Sequence, residues 1–238
     1  VDETANIELT AKRIVFGKFL NCGQTCVAPD YLYCHSSIKD KLVKEIERQI
    51  VLQYTVDPIS NTDYPKMINL KQFNAMNSLI KEDNVIFGGK SDENSLKIEP
   101  TILESNFDAD DMKNEIFGPI LPVLTFENLD EAIQNVKKLN PPLALYIFSS
   151  RKENQNKVIN SIQFGGGCIN DTIIHIASNR LGFGGVKQSG IGIYHGKLGF
   201  DTFSHYKSIV DKKTWLDLPM RYQPYKKFNM KIVKWFLK

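Results

Sequence analysis

Apolar residues recur along this chain with two periods, one typical of helices and the other typical of strands. Spacings of three to four residues, with charged residues between them, predict amphipathic helices. Short runs rich in β-branched and aromatic residues predict strands. Helices that alternate with apolar strands are typical of a layered α/β sheet. The predicted helices cover residues 6–20, 38–54, 65–81, 130–139 and 152–162, and the predicted strands cover residues 30–34, 85–87, 100–103, 121–126 and 144–149.

The pattern becomes less regular in the second half of the chain. Three glycines meet a short apolar run at residues 165–170, and residues 182–199 are rich in glycine and predicted to be mostly loop. The tail contains two prolines and several lysines. We therefore predict a compact domain over residues 1–205 and a C-terminal extension over residues 206–238.

Composition and charge narrow the class of protein. Hydrophobic residues make up 42% of the 238 residues and charged residues 24%, which is ordinary for a globular chain and argues against disordered, collagen-like and disulfide-scaffold classes. The formal net charge of +3 is small, so we expect no nucleic-acid partner. No apolar run is long enough to span a membrane, and no signal or transit peptide is visible. These features predict a cytoplasmic protein with reduced thiols.

The cysteines do not follow the spacing of a zinc site, because a CxxC pair and a matching pair of histidines are both missing. A site shared by the first two cysteines would need two more ligands, which the spacing of the histidines does not supply. We therefore predict no metal site. The four cysteines are Cys22, Cys26, Cys34 and Cys168.

Cys26 stands at the position best suited to a nucleophile. It follows Gly23 and Gln24, and a glycine there can end the preceding helix and turn the backbone back, so that the sulfur faces a ligand. Backbone N–H groups of such a turn favour the thiolate and can also hydrogen-bond an oxyanion. Two other interpretations remain open: Cys26 is a small buried hydrophobic residue, or it is the nucleophile of a Cys-His hydrolase that pairs with His195 or His205.

Several motifs follow one another along the chain. Residues 19–30 read Phe-x-x-x-Gly-Gln-x-Cys-Val-Ala-x-Asp. The later motifs are Glu-Ile-Phe-Gly-Pro at 115–119, Asn-Asp at 170–171, Phe-Gly-Gly-Val-Lys-Gln-Ser-Gly at 183–190, Tyr-His-Gly-Lys at 194–197 and Phe-Asp-Thr-Phe-Ser-His at 200–205. Together they resemble the motifs of the aldehyde dehydrogenase superfamily, the first being similar to its cysteine signature, and in particular those of its class 3-like branch. The likeness extends from residue 1 to about residue 210.

The resemblance implies a fold and a chemistry. The fold would be a three-layer α/β catalytic domain, with the sheet between helices. The reaction would be the oxidation of an aldehyde, of aliphatic or aromatic type, to a carboxylic acid by NAD or NADP, through a thiohemiacetal and a thioester on Cys26. Glu115 would bind the nicotinamide-ribose hydroxyls, which suits a carboxylate because it accepts two hydrogen bonds, and Phe117 would pack near the nicotinamide. The residues expected at the substrate pocket are Asn170, Phe183 and His195.

Three family features do not occur in this sequence. They are the Glu-Leu-Gly-Gly-Lys type segment that carries the general base, the Rossmann-type cofactor half, and the asparagine that helps to bind the oxyanion. We therefore expect the chain to be part of a larger enzyme, a homodimer by its resemblance, and to be inactive by itself. The alternative is a non-catalytic remnant or an interaction module from a split reading frame.

The end of the tail predicts a basic amphipathic helix. Such a helix can lie on an anionic membrane surface, or it can pack on a neighbouring subunit or domain. In a helix over residues 227–238 one arc would hold Lys227, Lys231, Lys234 and Lys238, and another Phe228, Ile232, Trp235 and Phe236.

Overall fold

The computed structural model describes residues 1–224 and 227–236. They belong to two compact units, Val1–Phe203 and Ser204–Lys238. The division falls close to the boundary predicted after residue 205. The catalytic role of the first unit and the oligomerisation or membrane role of the second stay predictions.

Side-chain caps decide where several helices begin. The side chain of Asn6 accepts a hydrogen bond from the backbone nitrogen of Leu9 at 3.0 Å, and Asn69 does the same for Gln72 at 2.9 Å. The second cap explains why the helix predicted over residues 65–81 begins only after Asn69. The helices are α1 Ile7–Phe19, α2 Lys39–Tyr54, α3 Leu70–Asn77, α4 Leu129–Lys138, α5 Lys152–Ser161, α6 Gly196–Thr202 and α7 Lys227–Phe236.

Within the described part of the chain, the strands form one larger sheet and two small ones. The larger sheet has the order β1, β6, β5, β2; β6 runs parallel to both of its neighbours, and β2 is antiparallel to β5. A parallel pair, β7 and β8, lies on either side of α5 in sequence. The strands are β1 Leu32–His35, β2 Val85–Phe87, β3 Ser91–Asp92, β4 Lys97–Ile98, β5 Thr101–Glu104, β6 Ile120–Phe126, β7 Ala144–Ile147 and β8 Gly166–Ile169.

The larger sheet is buried on both faces. Ile102 and Leu121 point into a cluster with the apolar faces of α1 and α2. Their neighbours Leu103 and Ile120 point to the opposite side, into a cluster with α3 and the loops around it. This alternation follows from the period of two in a strand. The predicted three-layer α/β arrangement, with a sheet between helices, is therefore confirmed.

Two segments contain more order than their composition indicates. The polar segment 88–95 contains β3, which pairs with β4 as a short antiparallel hairpin. The glycine-rich segment 182–199 is mostly loop, as predicted, and also contains the first turn of α6. In both cases long-range packing or pairing adds order that local composition does not predict.

The second unit contains a 3₁₀ turn at Pro219–Arg221 and the predicted helix α7. Residues 237–238, which the sequence pattern included in that helix, lie outside the described residues. Within the described part of the chain, no helix combines the length and the apolar character that a membrane span requires.

Candidate active site

A left-handed turn separates α1 from Cys26. The helix ends at Phe19, and the next residues form a 3₁₀ turn over Leu20–Gly23. Asn21, Cys22 and Gly23 all have positive φ, at 53°, 56° and 72°. Gly23 was expected to end the helix by itself; instead three consecutive residues reverse the chain after the helix has already ended.

Gly23 also brings the turn against the Glu115–Pro119 motif. A Cβ atom at Gly23 would lie 2.2 Å from the carbonyl oxygen of Gly118, a distance that real Cβ atoms do not adopt. Only a glycine allows both the positive φ and this backbone contact. The two motifs, far apart in sequence, therefore touch through their glycines.

Gln24 holds the turn against a neighbouring loop. Its amide nitrogen donates to the carbonyl oxygens of Asn21 at 3.2 Å and Lys66 at 3.1 Å. Its amide oxygen accepts from the backbone nitrogen of Ile68 at 2.9 Å. Gln24 is thus fixed at both ends of its amide, which gives this motif residue a structural task.

Cys26 lies at the tip of a tight turn and its side chain is exposed. The turn is closed by a 2.9 Å hydrogen bond from the nitrogen of Ala28 to the carbonyl oxygen of Thr25. The hydroxyl of Tyr146 donates to the carbonyl oxygen of Val27 at 2.6 Å. Burial raises the pKa of Tyr146, so its hydroxyl remains a donor near neutral pH. The Cys26 side chain is therefore accessible, and the turn that carries it is stabilised by these two hydrogen bonds.

The other three thiols are less suited to attack. Cys22 is 0% exposed, its Sγ lies 3.6 Å from the hydroxyl oxygen of Tyr64, and burial raises its pKa to about 11. Burial also raises the pKa of Cys34, which is buried, and of Cys168, which is half-buried. A thiol needs its thiolate form to act as a nucleophile. The geometry therefore argues against Cys22 and against the interpretation of Cys26 as a buried hydrophobic residue.

Asp30 ties the cysteine motif to the Glu115 motif a second time. Its Oδ1 accepts a hydrogen bond from the backbone nitrogen of Ile116 at 2.8 Å. Burial, and then the charge of Asp30, raise the pKa of Glu115, whereas the charge of Lys18 lowers it. Phe117 is 39% exposed. The two residues predicted to bind the cofactor thus flank a buried anchor and face outward.

A cleft of about 600 Å³ opens beside Phe117. Its wall includes the turn residue Gln24 and the loop that Gln24 holds. The cleft offers amide groups, one ammonium and an aromatic edge, which suits a polar ligand with a flat ring. The lining residues are Asn21, Gln24, Lys66, Met67, Ile68, Gln72 and Phe117.

Asn170 lies just after β8 and forms hydrogen bonds to Ser149, which lies just after β7. Its amide accepts from the nitrogen of Ser149 at 2.8 Å and donates to the carbonyl oxygen of Ser149 at 3.0 Å. Its own carbonyl oxygen accepts from the guanidinium of Arg13 on α1. These contacts join β8 to β7 and to α1, so the structure gives Asn170 a supporting role, and contact with a substrate stays a prediction.

Phe183 and His195 belong to one aromatic group. Phe183 and Tyr194 exchange backbone hydrogen bonds of 2.8 and 2.9 Å. The ring of His195 stacks on Phe183 with centroids 5.9 Å apart, and it meets Tyr194 edge-on at 4.6 Å. This packing orders two predicted pocket residues relative to each other. Their distance from a substrate is a prediction.

Three side chains near the site were not singled out from the sequence. Tyr146 supports the Cys26 turn, and the Nδ1 of His175 lies 3.6 Å from the Sγ of Cys168, with its ring 5.9 Å from that of Tyr146. Lys18 is completely buried in the last turn of α1. A signal for Lys18 existed, because it stands four residues after Ile14 and so falls on the apolar face of the helix. The roles of Tyr146 and His175 depend on contacts across the fold, which have no local signature.

Comparison with known proteins places these motifs in a family. A profile described as "Aldehyde dehydrogenase family" matches residues 1–209. The 4,4'-diaponeurosporen-aldehyde dehydrogenase of Staphylococcus aureus is 48% identical over all of this chain and 52% of its own length. Aldehyde dehydrogenase family 3 member A2 of Mus musculus is 39% identical over all of this chain and 50% of its own length.

Solved structures agree with this placement. The substrate-bound state of Staphylococcus aureus AldH has a TM-score of 0.94 at 46% identity, and covers all of this chain and 52% of the solved chain. An NAD-dependent aldehyde dehydrogenase from Sinorhizobium meliloti has a TM-score of 0.76 at 27% identity, covering 87% of this chain and 42% of the solved one. This chain spans about half the length of the curated relatives it matches. It belongs to the aldehyde dehydrogenase family and is class 3-like.

Proposed function

We propose that the protein containing this chain oxidises an aldehyde to a carboxylic acid with NAD or NADP as the oxidant, and that Cys26 is its nucleophile. The observation that carries this proposal is the contact between two motifs. The turn that exposes Cys26 packs on the segment that carries Glu115 and Phe117, through the backbones of Gly23 and Gly118. The turn that carries the proposed nucleophile therefore lies against the segment that carries the proposed cofactor-binding residues.

The Cys26 thiolate attacks the aldehyde carbon and forms a carbon–sulfur bond, while the carbonyl oxygen becomes an oxyanion. Backbone N–H groups of the turn are the donors suited to this charge. Loss of the hydride from carbon restores the C=O bond and leaves a thioester on Cys26. Water then cleaves the carbon–sulfur bond, which releases the carboxylic acid and returns the thiol.

NAD or NADP, when bound, supplies the acceptor for that hydride. The exposed carboxylate of Glu115 is suited to two ribose hydroxyls, and the exposed edge of Phe117 is suited to a flat ring. The cleft beside Phe117 has room for such a group. The name of the Sinorhizobium meliloti structure describes that protein as NAD-dependent, which supports a nicotinamide cofactor for this chain as well.

The substrate we propose is an aldehyde with an apolar body. One relative is named for 4,4'-diaponeurosporen-aldehyde. In this chain, Asn170, Phe183 and His195 are the residues proposed to face the substrate, and Phe183 and His195 present stacked rings. An apolar substrate would gain from contact with these rings.

The test uses the native polypeptide that contains this chain. With NAD+ or NADP+ and a long-chain aldehyde, reduced cofactor and carboxylic acid should form in equal amounts. Quenching with acid during turnover, followed by peptide mass spectrometry, should find the acyl group on the peptide that carries Cys26. An acyl group on another cysteine, or acid formation without cofactor reduction, would contradict the proposal.

The C-terminal helix is the part we propose to act at a partner or an anionic membrane surface, in a dimeric and otherwise cytoplasmic enzyme. Lys231 and Lys234 are exposed on α7, and Trp235 is also exposed. Basic and aromatic residues in such a helix favour the membrane interface. Deleting residues 226–238 should abolish co-sedimentation with anionic liposomes. Equal sedimentation of both forms would exclude the membrane role, and unchanged dimerisation would exclude the subunit role.

A further inference from the structure

Residues 25–28 form a β-turn with Cys26 and Val27 at its centre. The carbonyl oxygen of Thr25 accepts a hydrogen bond from the nitrogen of Ala28 at 2.9 Å, so the peptide that joins Thr25 to Cys26 has its C=O directed into the turn. This peptide is trans, and the C=O and N–H of a trans peptide point in opposite directions. The Cys26 N–H is therefore directed out of the turn, and it has no acceptor among the described residues.

The peptide that joins Val27 to Ala28 is held at both of its ends. Its N–H donates to the carbonyl oxygen of Thr25, and its C=O accepts from the hydroxyl of Tyr146 at 2.6 Å. Within the part of the chain that the structure describes, no other side chain forms a hydrogen bond with the backbone of residues 25–28. Tyr146 is therefore the side chain that fixes this turn to the body of the domain.

The ring of Tyr146 has a defined position between its neighbours. Tyr146 lies on β7 directly opposite Cys168 on β8. Its ring meets the ring of His175 edge-on, with the centroids 5.9 Å apart, and it also packs against the core cluster of α1 and α2. The Nδ1 of His175 lies 3.6 Å from the Sγ of Cys168, so these two side chains contact each other beside the tyrosine. The hydroxyl of Tyr146 is thus delivered to Val27 by a packed ring.

The segment that carries His175 is anchored to α1. The side chain of Thr172 is 0% exposed, and its hydroxyl donates to the carbonyl oxygen of Arg13 at 2.8 Å. The Nε of Arg13 lies 3.5 Å from the Oδ2 of Asp171. Ile173 has a φ of 48°, and a β-branched residue keeps such a strained conformation only where the surrounding structure imposes it. Tyr146 therefore rests on a fixed part of the fold.

We propose that Tyr146 is a positioning residue, whose hydroxyl holds the carbonyl oxygen of Val27 and so keeps the Cys26 N–H directed at the place where the oxyanion forms. This inference rests on the proposed function of Cys26. Tyr146 acts through the backbone of the turn and not by contact with the aldehyde. A donor aimed at an oxyanion stabilises the transition state more than the bound substrate, so its loss lowers the rate of the chemical step and leaves substrate binding nearly unchanged.

The variants Tyr146→Phe and Tyr64→Phe, made in the native polypeptide, separate this role from a structural one. Tyr146→Phe keeps the ring and removes the hydroxyl. Loss of a whole oxyanion donor slows catalysis on the order of a hundredfold or more. Because Tyr146→Phe only frees the turn to move, single-turnover formation of reduced cofactor should be about tenfold slower, with the KM for NAD+ and for the aldehyde within about twofold.

Tyr64→Phe is the matched control, because the hydroxyl of Tyr64 also donates to a backbone carbonyl, that of Ile98, at 2.9 Å. It should lower stability at least as much as Tyr146→Phe and leave the single-turnover rate within about twofold. Urea unfolding of both variants provides the stability comparison. An equal loss of rate in the two variants would mean that Tyr146 acts through stability alone, and it would overturn the proposal.

Alkylation of Cys26 provides a second measurement that a role at the oxyanion should not affect. Iodoacetamide reacts with the sulfur without forming an oxyanion, so Cys26 in Tyr146→Phe should be alkylated at a rate within about threefold of that in the parent protein. If alkylation slows as much as hydride transfer does, Tyr146 acts on the thiol and not on the N–H, and the proposal is wrong. An unchanged single-turnover rate in Tyr146→Phe would also overturn it.

Cys26→Ala distinguishes failure of this inference from failure of the function on which it rests. If Cys26→Ala retains aldehyde oxidation, the proposed function of Cys26 is wrong, and the role of Tyr146 is wrong with it. If Cys26→Ala is inactive and Tyr146→Phe is as fast as the parent protein, only the role of Tyr146 is wrong. If Cys26→Ala is inactive and Tyr146→Phe is slow in hydride transfer but normal in alkylation, Tyr146 acts on the turn as proposed.

Discussion

Cys22 and Cys26 are only four residues apart, but Cys22 is buried and Cys26 is exposed. Cys22 is enclosed by Tyr64 and Met67, with its Sγ 3.6 Å and 3.8 Å from their Oη and Sδ atoms. Cys26 stands on an exposed turn. Cys22 itself and Gly23, which follows it, both have positive φ and turn the chain, so one thiol enters the core and the other leaves it. Reactivity here depends on the backbone path and not on the residue type.

Substitution of the two cysteines should give the largest contrast. Cys26→Ala should lower aldehyde oxidation by on the order of a thousandfold or more, because the covalent path is lost. Cys22→Ala should leave turnover within about threefold and should lower the free energy of unfolding by about 1 to 2 kcal/mol, because it leaves a small cavity. Steady-state kinetics and urea unfolding of both variants provide the measurement. Equal loss of turnover in the two would remove the distinction.

Substitution of Gly23, in the turn between the two cysteines, should give the next largest effect. Gly23→Ala should lower the free energy of unfolding by about 3 kcal/mol, because it adds a left-handed alanine and a collision with the carbonyl of Gly118. Gly192→Ala is the matched control: Gly192 has φ of +73°, and a Cβ there would meet nothing within 4 Å.

The control should cost only about 1 kcal/mol, the conformational part alone. Urea unfolding followed by circular dichroism measures both variants under the same conditions. The difference between them gives the cost of the collision between a Cβ at Gly23 and the backbone of Gly118. Identical values would mean that Gly23 is needed for its φ and not for the contact with Gly118.

Alkylation rates test the contrast without any substitution. At pH 8 only on the order of one in a thousand Cys22 thiols is ionised when the pKa is about 11, and the group is buried as well. Cys26 should therefore react with iodoacetamide at least about tenfold faster than Cys22, Cys34 or Cys168. Peptide mass spectrometry over time gives the order of labelling. Earlier labelling of Cys22 or Cys34 would contradict the geometry.

The smallest effect concerns the tyrosines that accompany each cysteine. Tyr146→Phe removes the hydrogen bond to Val27 and should cost about 1 kcal/mol, with faster hydrogen exchange at the nitrogen of Ala28. Tyr64→Phe leaves the buried carbonyl oxygen of Ile98 without its donor and should cost about 2 kcal/mol. Exchange at Ala28 should be unchanged in Tyr64→Phe. If both variants accelerate it equally, the two surroundings are coupled.

Much of the fold follows from local patterns. The helix predicted over residues 38–54 begins one residue later, and the strand predicted over 85–87 has the same bounds in the structure. Periodicity succeeds for the helix because one of its faces is buried along its length. The strand is half-buried, and its side chains pack against the two core clusters. Periodicity fails at α3, where the cap at Asn69 shortens the helix, and at the β3–β4 hairpin, where pairing orders a polar segment.

Much of the candidate site does not follow from local patterns. Cys26, Glu115 and Phe117 are named by motifs, but nothing in the sequence states that Asp30 binds the nitrogen of Ile116. The supporting role of Tyr146 could not be predicted either, because its hydrogen-bond partner Val27 is far away in the chain. Pairings of this kind depend on how the elements pack, and the sequence around one partner does not indicate which distant residue it will contact.

The sequence by itself determined the order of elements, the family motifs and Cys26 as the candidate nucleophile, because these depend on residue type and short spacing. The tertiary structure decided which thiol is exposed, how Gly23 meets Gly118, and that Lys18 is completely buried. Those outcomes arise from residues distant in sequence that share one packed interior. In that interior, low solvent access influences the protonation state of each group, and the fixed geometry determines which partners it can contact.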